Sequence, residues 1–151
     1  MSRYYEDFEV GARYPTYGRT ITEGDHSLFC ALVGYHVPLF IDAEYAKSTP
    51  AGERICPGSL IMSFSTGQTE SLYRTTMIAL RAVERGRFLQ PVRIGDTIHT
   101  EVEVVEKRPS KKPGQGVVTF RDHAINQRGE TVFQIDKVTV VKRRSEQDAA
   151  A

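Results

Sequence analysis

The chain has 151 residues, 40% hydrophobic and 26% charged, with 12 Gly and 7 Pro. One domain of this size buries roughly 68–70% of its extended surface, which makes a core without staples and excludes collagen, a disordered chain and a coiled coil as the main state. Twenty Lys+Arg against 19 Asp+Glu leave a net charge of +1, without the basic excess expected of a protein that grips nucleic acid by its phosphates. No window approaches about 18 unbroken apolar residues, so no transmembrane helix is expected.

Met1 to Asp7 holds no apolar stretch of the kind a secretory signal needs. Cys30 and Cys56 fit no CxxC spacing, so the expectation is a reduced, cytoplasmic protein with no zinc site, whose cysteines are small buried hydrophobes.

Tyr5 to Ile21, rich in Tyr, Gly and Pro, reads as irregular or short extended structure. Thr22, followed three residues later by Asp25, is a variant capping box, and Gly34 is a C-cap, so a first helix runs over about 23–33. Asp42 caps a short helix through Lys47. Gly58 or Ser59 caps the longest break-poor apolar stretch, a helix to about Arg74 that is buried on most faces. Ser59, Ser63 and Gly67 recur along it as a stripe of small side chains.

Strands follow. Met77 to Phe88 is one, and Thr97 to Glu106 alternates apolar and polar with period two. Gly116 to Asn126 and Thr131 to Lys142 are joined by the Asn126-Gln127-Arg128-Gly129 turn. Residues 143–151 read as a polar, disordered tail. Helices first and antiparallel strands after make an α+β layout, a curved antiparallel sheet with a helix against it.

These landmarks, in this order, resemble the MaoC-like dehydratase family, also called the (R)-specific enoyl-CoA hydratase or hydratase 2 family. The matching pieces are Tyr5 to Gly11, Pro38 to Ala46, Gly52 to Gly58, Phe88 with Pro91 to Thr97, and Asn126 to Glu130. The resemblance spans about residues 5–142. It implies the hotdog fold, in which a sheet wraps a long central helix. It also implies a homodimer joined edge to edge, with acyl-thioester sites at the interface and no cofactor beyond the coenzyme A of the substrate. Members hydrate trans-2-enoyl thioesters or run the reverse dehydration.

That reaction needs a base to aim water at the β-carbon, an acid to protonate the α-carbon, and donors for the thioester oxygen. In the family, the Asp after a Gly and the His two residues past a Pro are the acid–base pair. This chain has Tyr35 after Gly34 and Phe40 two past Pro38. Phe cannot exchange a proton, and Tyr, with a reference pKa near about 10, is a poor base at neutrality.

The catalytic candidates are therefore Tyr35, the adjacent His36 if the loop is shifted by one residue, and Gly58 as backbone oxyanion donor. Phe40, Asp42, Ser59 and Ser63 are the substrate-binding candidates, with helix capping as the competing role of Asp42. Arg81, Arg85, Arg87, Lys107, Arg108, Lys111 and Lys112 are cations that can meet coenzyme A phosphates or simply be solvated.

Three functions stay open. The first is enoyl-CoA hydration or dehydration. The second is binding without turnover by a partner subunit. The third is thioester hydrolysis, for which Glu70 is the one carboxylate well inside the expected helix, about 18 Å from Gly58 at about 1.5 Å per residue.

Overall fold

The computed structural model describes residues 2–145. Four long strands, β3 (Met77–Phe88), β4 (Thr97–Pro109), β5 (Gln115–Asn126) and β6 (Thr131–Lys142), form an antiparallel sheet with two short ones, β1 (Arg13–Pro15) and β2 (Arg19–Thr20). The spatial order is β1-β4-β5-β6-β3, and β2 also pairs with β4. The helices are α1 (Glu23–Val33), α2 (Pro38–Ile41), α3 (Ala43–Lys47) and the central α4 (Gly58–Gln68). This is the expected α+β architecture of a helix laid against a curved antiparallel sheet. No helix among the described residues is long and apolar enough to cross a membrane.

Alternation builds the core. In β4, Ile98, Val102 and Val104 face inward and are buried, as period two requires. One apolar cluster joins Leu60 and Ile61 of α4 to Ile98, Phe133 and Ile135. A second joins Leu72 and Tyr73 to Phe8, Val102, Val104 and Phe120. Polar side chains fix α4 on the sheet: Gln68 Nε2 donates to the Ile98 carbonyl at 2.9 Å, and Thr100 Oγ1 donates to Gln68 Oε1 at 2.9 Å.

The end of α4 differs from the sequence reading. The helix stops at Gln68 instead of reaching Arg74, and a 3₁₀ turn (Glu70–Leu72) follows. The cause is packing, because the chain must leave the helical path to bring Leu72 and Tyr73 into the second cluster, where both are buried. As expected, the helix is buried or half-buried on most faces; Ser63 and Gly67, four residues apart on one face, are exposed in the single chain. β4 also runs on to Pro109, past the expected Glu106, because a bulge between Val104 and Glu106 resets the pairing so that it continues.

The other landmarks fall where the sequence placed them. Thr22 and Asp25 form the reciprocal capping box of α1, and Gly34 closes the helix in the left-handed conformation at φ 66°. Asn126 Oδ1 accepts from the N–H groups of Arg128 and Glu130 and shapes the β5–β6 turn. The disordered tail expected from residue 143 is corrected at its start: Arg143 Nε donates to Glu6 at 2.9 Å and Arg144 pairs with Asp7 at 2.6 Å, which ties both residues to the N-terminal segment. Residues 146–151 lie outside the described residues.

The loop between β3 and β4 is organised by one buried carboxylate. Asp96 accepts from the Arg93 N–H at 2.9 Å, from Gln127 Nε2 at 2.6 Å and from Arg128 at 3.2 Å. Burial by itself would raise this carboxyl, but those hydrogen bonds and the Arg128 charge hold it below the usual range.

A group whose folded pKa is depressed adds stability above its unfolded pKa and loses it as pH falls through the folded value. Asp96→Asn is therefore expected to cost about 1–3 kcal/mol near neutrality and to flatten the acid side of the stability curve. Urea denaturation at several pH values measures both, and an unchanged acid limb would remove Asp96 from this role.

Candidate functional site

The site grows from the start of α4. Pro57 is its N-cap and supplies no side-chain cap. The Pro57 carbonyl accepts from the N–H groups of Leu60 and Ile61. The N–H groups of Gly58 and Ser59 meet no acceptor among the described residues. A helix start in this state carries partial positive charge and aims donors outward.

Beside this tip lies a cavity of about 720 Å³. Gly58, Ser59, Ile61 and Met62 form one side, Tyr35, Leu39 and Phe40 another, and Phe88 to Val92 with Val132 complete it. Ile55 and Cys56 join them just ahead of the helix. Among the described residues that line it, none is Asp, Glu, His, Lys or Arg.

The approach to the tip is close because Gly58 lacks a side chain. A Cβ there would come within 2.7 Å of the Phe88 ring. That ring stacks on Phe133, with centroids 4.8 Å apart. The Tyr35 and Phe40 rings meet edge to face at 5.0 Å and 64°. Cys56 is buried, and desolvation pushes its thiol up to about 12, so it is a neutral wall residue and not a nucleophile.

Of the seven expected site residues, the fold brings Tyr35, Phe40, Gly58 and Ser59 to this cavity. His36 does not line it; its side chain is exposed and its N–H donates to the Gly34 carbonyl at 3.1 Å. Asp42 is a helix cap, since its Oδ1 accepts from the N–H groups of Glu44 (3.0 Å) and Tyr45 (2.9 Å). Ser63 turns away one helical turn on, donates to the Ser59 carbonyl at 2.8 Å and lines a separate groove against α1. Glu70 lies past the end of α4 and is paired with Arg74 at 2.7 Å.

The cations offered for phosphates are spread out. Lys107 Nζ donates to the Phe8 carbonyl at 2.6 Å. Arg85 reaches Asp136 at 3.4 Å and, with Arg81 and Arg108, lines a groove on the sheet.

Sequence reasoning missed Leu39, Ile55, Met62, Phe88, Leu89 and Val132, which reach the cavity from five separate segments. Leu39, Ile55 and Phe88 had a signal, their place in the matching landmarks; Met62, Leu89 and Val132 had none. It also missed how the walls are held. His26 on α1 is 1% exposed. Its Nε2 lies 2.7 Å from the Phe40 carbonyl, and because a carbonyl only accepts, Nε2 carries the proton. Nδ1 is then an acceptor, buried with no partner among the described residues. Glu23, also on α1, takes Arg54 bidentately at 3.0 and 2.8 Å, and the Arg54 guanidinium holds its carboxyl below the usual range.

Known proteins share the sequence pattern and fold of this chain. The family model described as "MaoC like domain" matches residues 7–126. A mesaconyl-CoA hydratase from Cereibacter sphaeroides is 28% identical over 145 residues, covering 94% of this chain and 42% of that protein. An (R)-specific enoyl-CoA hydratase from Rhodospirillum rubrum is 33% identical over 121 residues, 78% of each chain. A solved structure of a monoamine oxidase regulatory protein from Archaeoglobus superposes with a TM-score of 0.88 at 35% identity, covering 95% of this chain and 97% of that one. The chain spans less than half the length of the mesaconyl-CoA hydratase and of a beta-methylmalyl-CoA dehydratase from Chloroflexus aurantiacus. The chain belongs to the MaoC-like domain family, and its fold is the hotdog fold.

Proposed function

We propose that this protein binds the acyl thioester of coenzyme A, with the thioester oxygen at the Gly58 and Ser59 N–H groups and the acyl chain in the apolar cavity. The observation that carries the reading is the uncapped start of α4 opening into that cavity. Donors preorganised toward a developing oxyanion are the largest electrostatic aid to thioester chemistry. Hydration of an enoyl thioester, or the reverse, is the reaction the family offers, with no cofactor beyond the substrate's own coenzyme A.

The cavity is completed by a second copy in this reading. β3 is the free edge of the sheet, its residues are nearly all exposed, and Met77, Ile78, Leu80, Val83 and Phe88 are apolar among them. A long unpaired apolar edge is a ready surface for strand pairing. Analytical ultracentrifugation is expected to give twice the 17.0 kDa of one chain, and a stable monomer would remove the shared site.

Binding without turnover is the second reading, and the Tyr35–Phe40 pair favours it. The two rings pack edge to face, and in this reading they take the positions that the resemblance gives to the acid and base. The loss of either proton-transfer group is typically worth about 10²–10⁴ in rate.

Crotonyl-CoA hydration, followed together with titration of saturated acyl-CoA thioesters, which keep the carbonyl oxygen and cannot be hydrated, decides between the readings. Turnover lost in Tyr35→Phe supports an enzyme that works through that hydroxyl. Binding with no turnover supports the partner-subunit reading. No binding of any acyl chain length removes both. Thioester hydrolysis has no support in the geometry, because Glu70 is exposed, ion-paired and outside the cavity.

A further inference from the structure

We infer that the first turn of α1 is a brace that sets the width of the acyl cavity, with His26 the positioning residue for one wall and Glu23 the positioning residue for the other. The inference rests on the cavity being an acyl-thioester site, but the brace itself stands on geometry alone.

The two walls come from separate segments with no long helix or strand in common. One is α2, a single turn carrying Leu39 and Phe40. The other is the start of α4, reached through Arg54, Ile55 and Cys56. A four-residue helix cannot hold its own place, because the carbonyls of its last turn have no partner within it. In α2 the Phe40 carbonyl is taken by His26 Nε2 at 2.7 Å, and the Pro38 carbonyl by the Asp42 N–H at 2.9 Å. His26 therefore supplies the tie between α2 and the body of the protein at the residue whose ring lines the cavity.

Three positions earlier on α1, Glu23 holds Arg54 through two hydrogen bonds of 3.0 and 2.8 Å. Arg54 is two residues before Cys56, whose N–H donates to the Val92 carbonyl at 2.8 Å, and four before Gly58. Residues three apart share one face of a helix, so a single turn of α1 reaches both walls. That turn is itself fixed. Thr22 and Asp25 cap it reciprocally, with Thr22 N–H on Asp25 Oδ2 at 2.9 Å and Asp25 N–H on Thr22 Oγ1 at 3.1 Å, and Arg19 pairs with Asp25 at 2.6 Å.

His26 pays for this place, since its Nδ1 is buried and unpartnered among the described residues. Asp25 and His26 thus form no dyad. They point apart, Asp25 to the cap and His26 to the wall.

The test compares His26→Leu, His26→Gln and Glu23→Ala with the unaltered protein. Leu fills the space but has no donor. Gln restores one through its amide. Hydrogen exchange without ligand is expected to quicken about tenfold at residues 39–42 in H26L, and at residues 54–58 in E23A, while H26Q stays near the unaltered rate.

Titration with a hexyl-CoA thioether is expected to show about tenfold weaker binding in H26L and E23A, with discrimination between butyl and octyl chains reduced and H26Q close to unaltered. Unchanged exchange in both wall segments overturns the brace, and so does H26Q behaving like H26L. Glu23 is half exposed, so E23A keeps the core and decides the matter even where H26L does not fold. If the unaltered protein binds no thioether, the acyl-thioester reading fails, and the exchange data alone then decide the brace.

Discussion

Gly58→Val is expected to abolish acyl-thioester binding while leaving the fold in place. A Cβ at Gly58 would lie 2.7 Å from Cε1 and Cζ of Phe88, well inside van der Waals contact. The atoms in the way are the far end of a side chain that is 59% exposed, so the ring can swing aside. It also packs on Phe133 and forms part of the cavity wall, and moving it puts bulk where the acyl chain goes. The added methyls meanwhile hold the thioester oxygen away from the two N–H donors.

Loss of one such donor costs about 10²–10³ in rate, and the steric loss adds to it. Gly58→Ala is expected to fall in between. Thermal unfolding should move little, because Ala and Val are both tolerated in the first turn of a helix. Isothermal titration with butyryl-CoA, a saturated thioester that keeps the carbonyl oxygen and has no double bond to hydrate, gives the answer, and a G58V variant that binds it as the unaltered protein does would end the assignment of the helix tip.

Lys137→Met is expected to be the most destabilising single change, at about 3–5 kcal/mol near neutrality. Lys137 and Asp122 are 1% and 0% exposed and stand 2.5 Å apart between α4 and the sheet. The ammonium is ion-paired with Asp122 and donates to Thr69 Oγ1 at 2.9 Å and to the Tyr73 hydroxyl at 3.3 Å.

Removing it strands a carboxyl that burial already pushes above its usual range against the pull of Lys137. The sign follows from linkage. An acid whose folded pKa is raised binds more protons in the folded state, so its contribution to stability falls as pH rises from the unfolded value, near about 3.9, toward the folded one. The deficit of K137M should therefore be smallest in mild acid and grow toward neutrality. The double variant K137M/D122L is expected to recover part of the loss, because a buried pair replaced by apolar side chains of similar volume is often neutral or better. Urea midpoints across the pH range test this, and a K137M deficit below about 1 kcal/mol would mean the pair is wetter than the structure has it.

The cavity also bears on the acyl group. Its lining residues include no cation among the described residues, so a second carboxylate on the acyl chain, as in a mesaconyl group, would be buried without a partner from this chain, at a cost of several kcal/mol. Competition against the thioether probe is expected to favour crotonyl-CoA over mesaconyl-CoA by at least about tenfold. Equal competition would require a cation from a second copy.

What the residues determined alone is local. The capping box at Thr22 and Asp25, the left-handed stop at Gly34, the Asp42 cap and the Asn126–Gly129 turn each depend on side chains within a few positions of the backbone they satisfy, so spacing was enough. The four long strands were legible because alternation along one segment reports one buried face. The start of α4 was legible only to within a residue or two: the cap expected at Gly58 or Ser59 falls at Pro57, which has no side-chain group to close the helix.

The rest depended on segments far apart in the chain. Only packing decided that α4 ends at Gln68, because Leu72 and Tyr73 are drawn into a cluster with Phe8 and Phe120 that no local pattern contains. Only packing put Tyr35 and Phe40 into the cavity while turning Ser63 to the α1 groove and leaving His36 outside. His26 showed nothing of its role along the chain, for its partner is a backbone carbonyl fourteen residues on, and a carbonyl has no residue type to recognise.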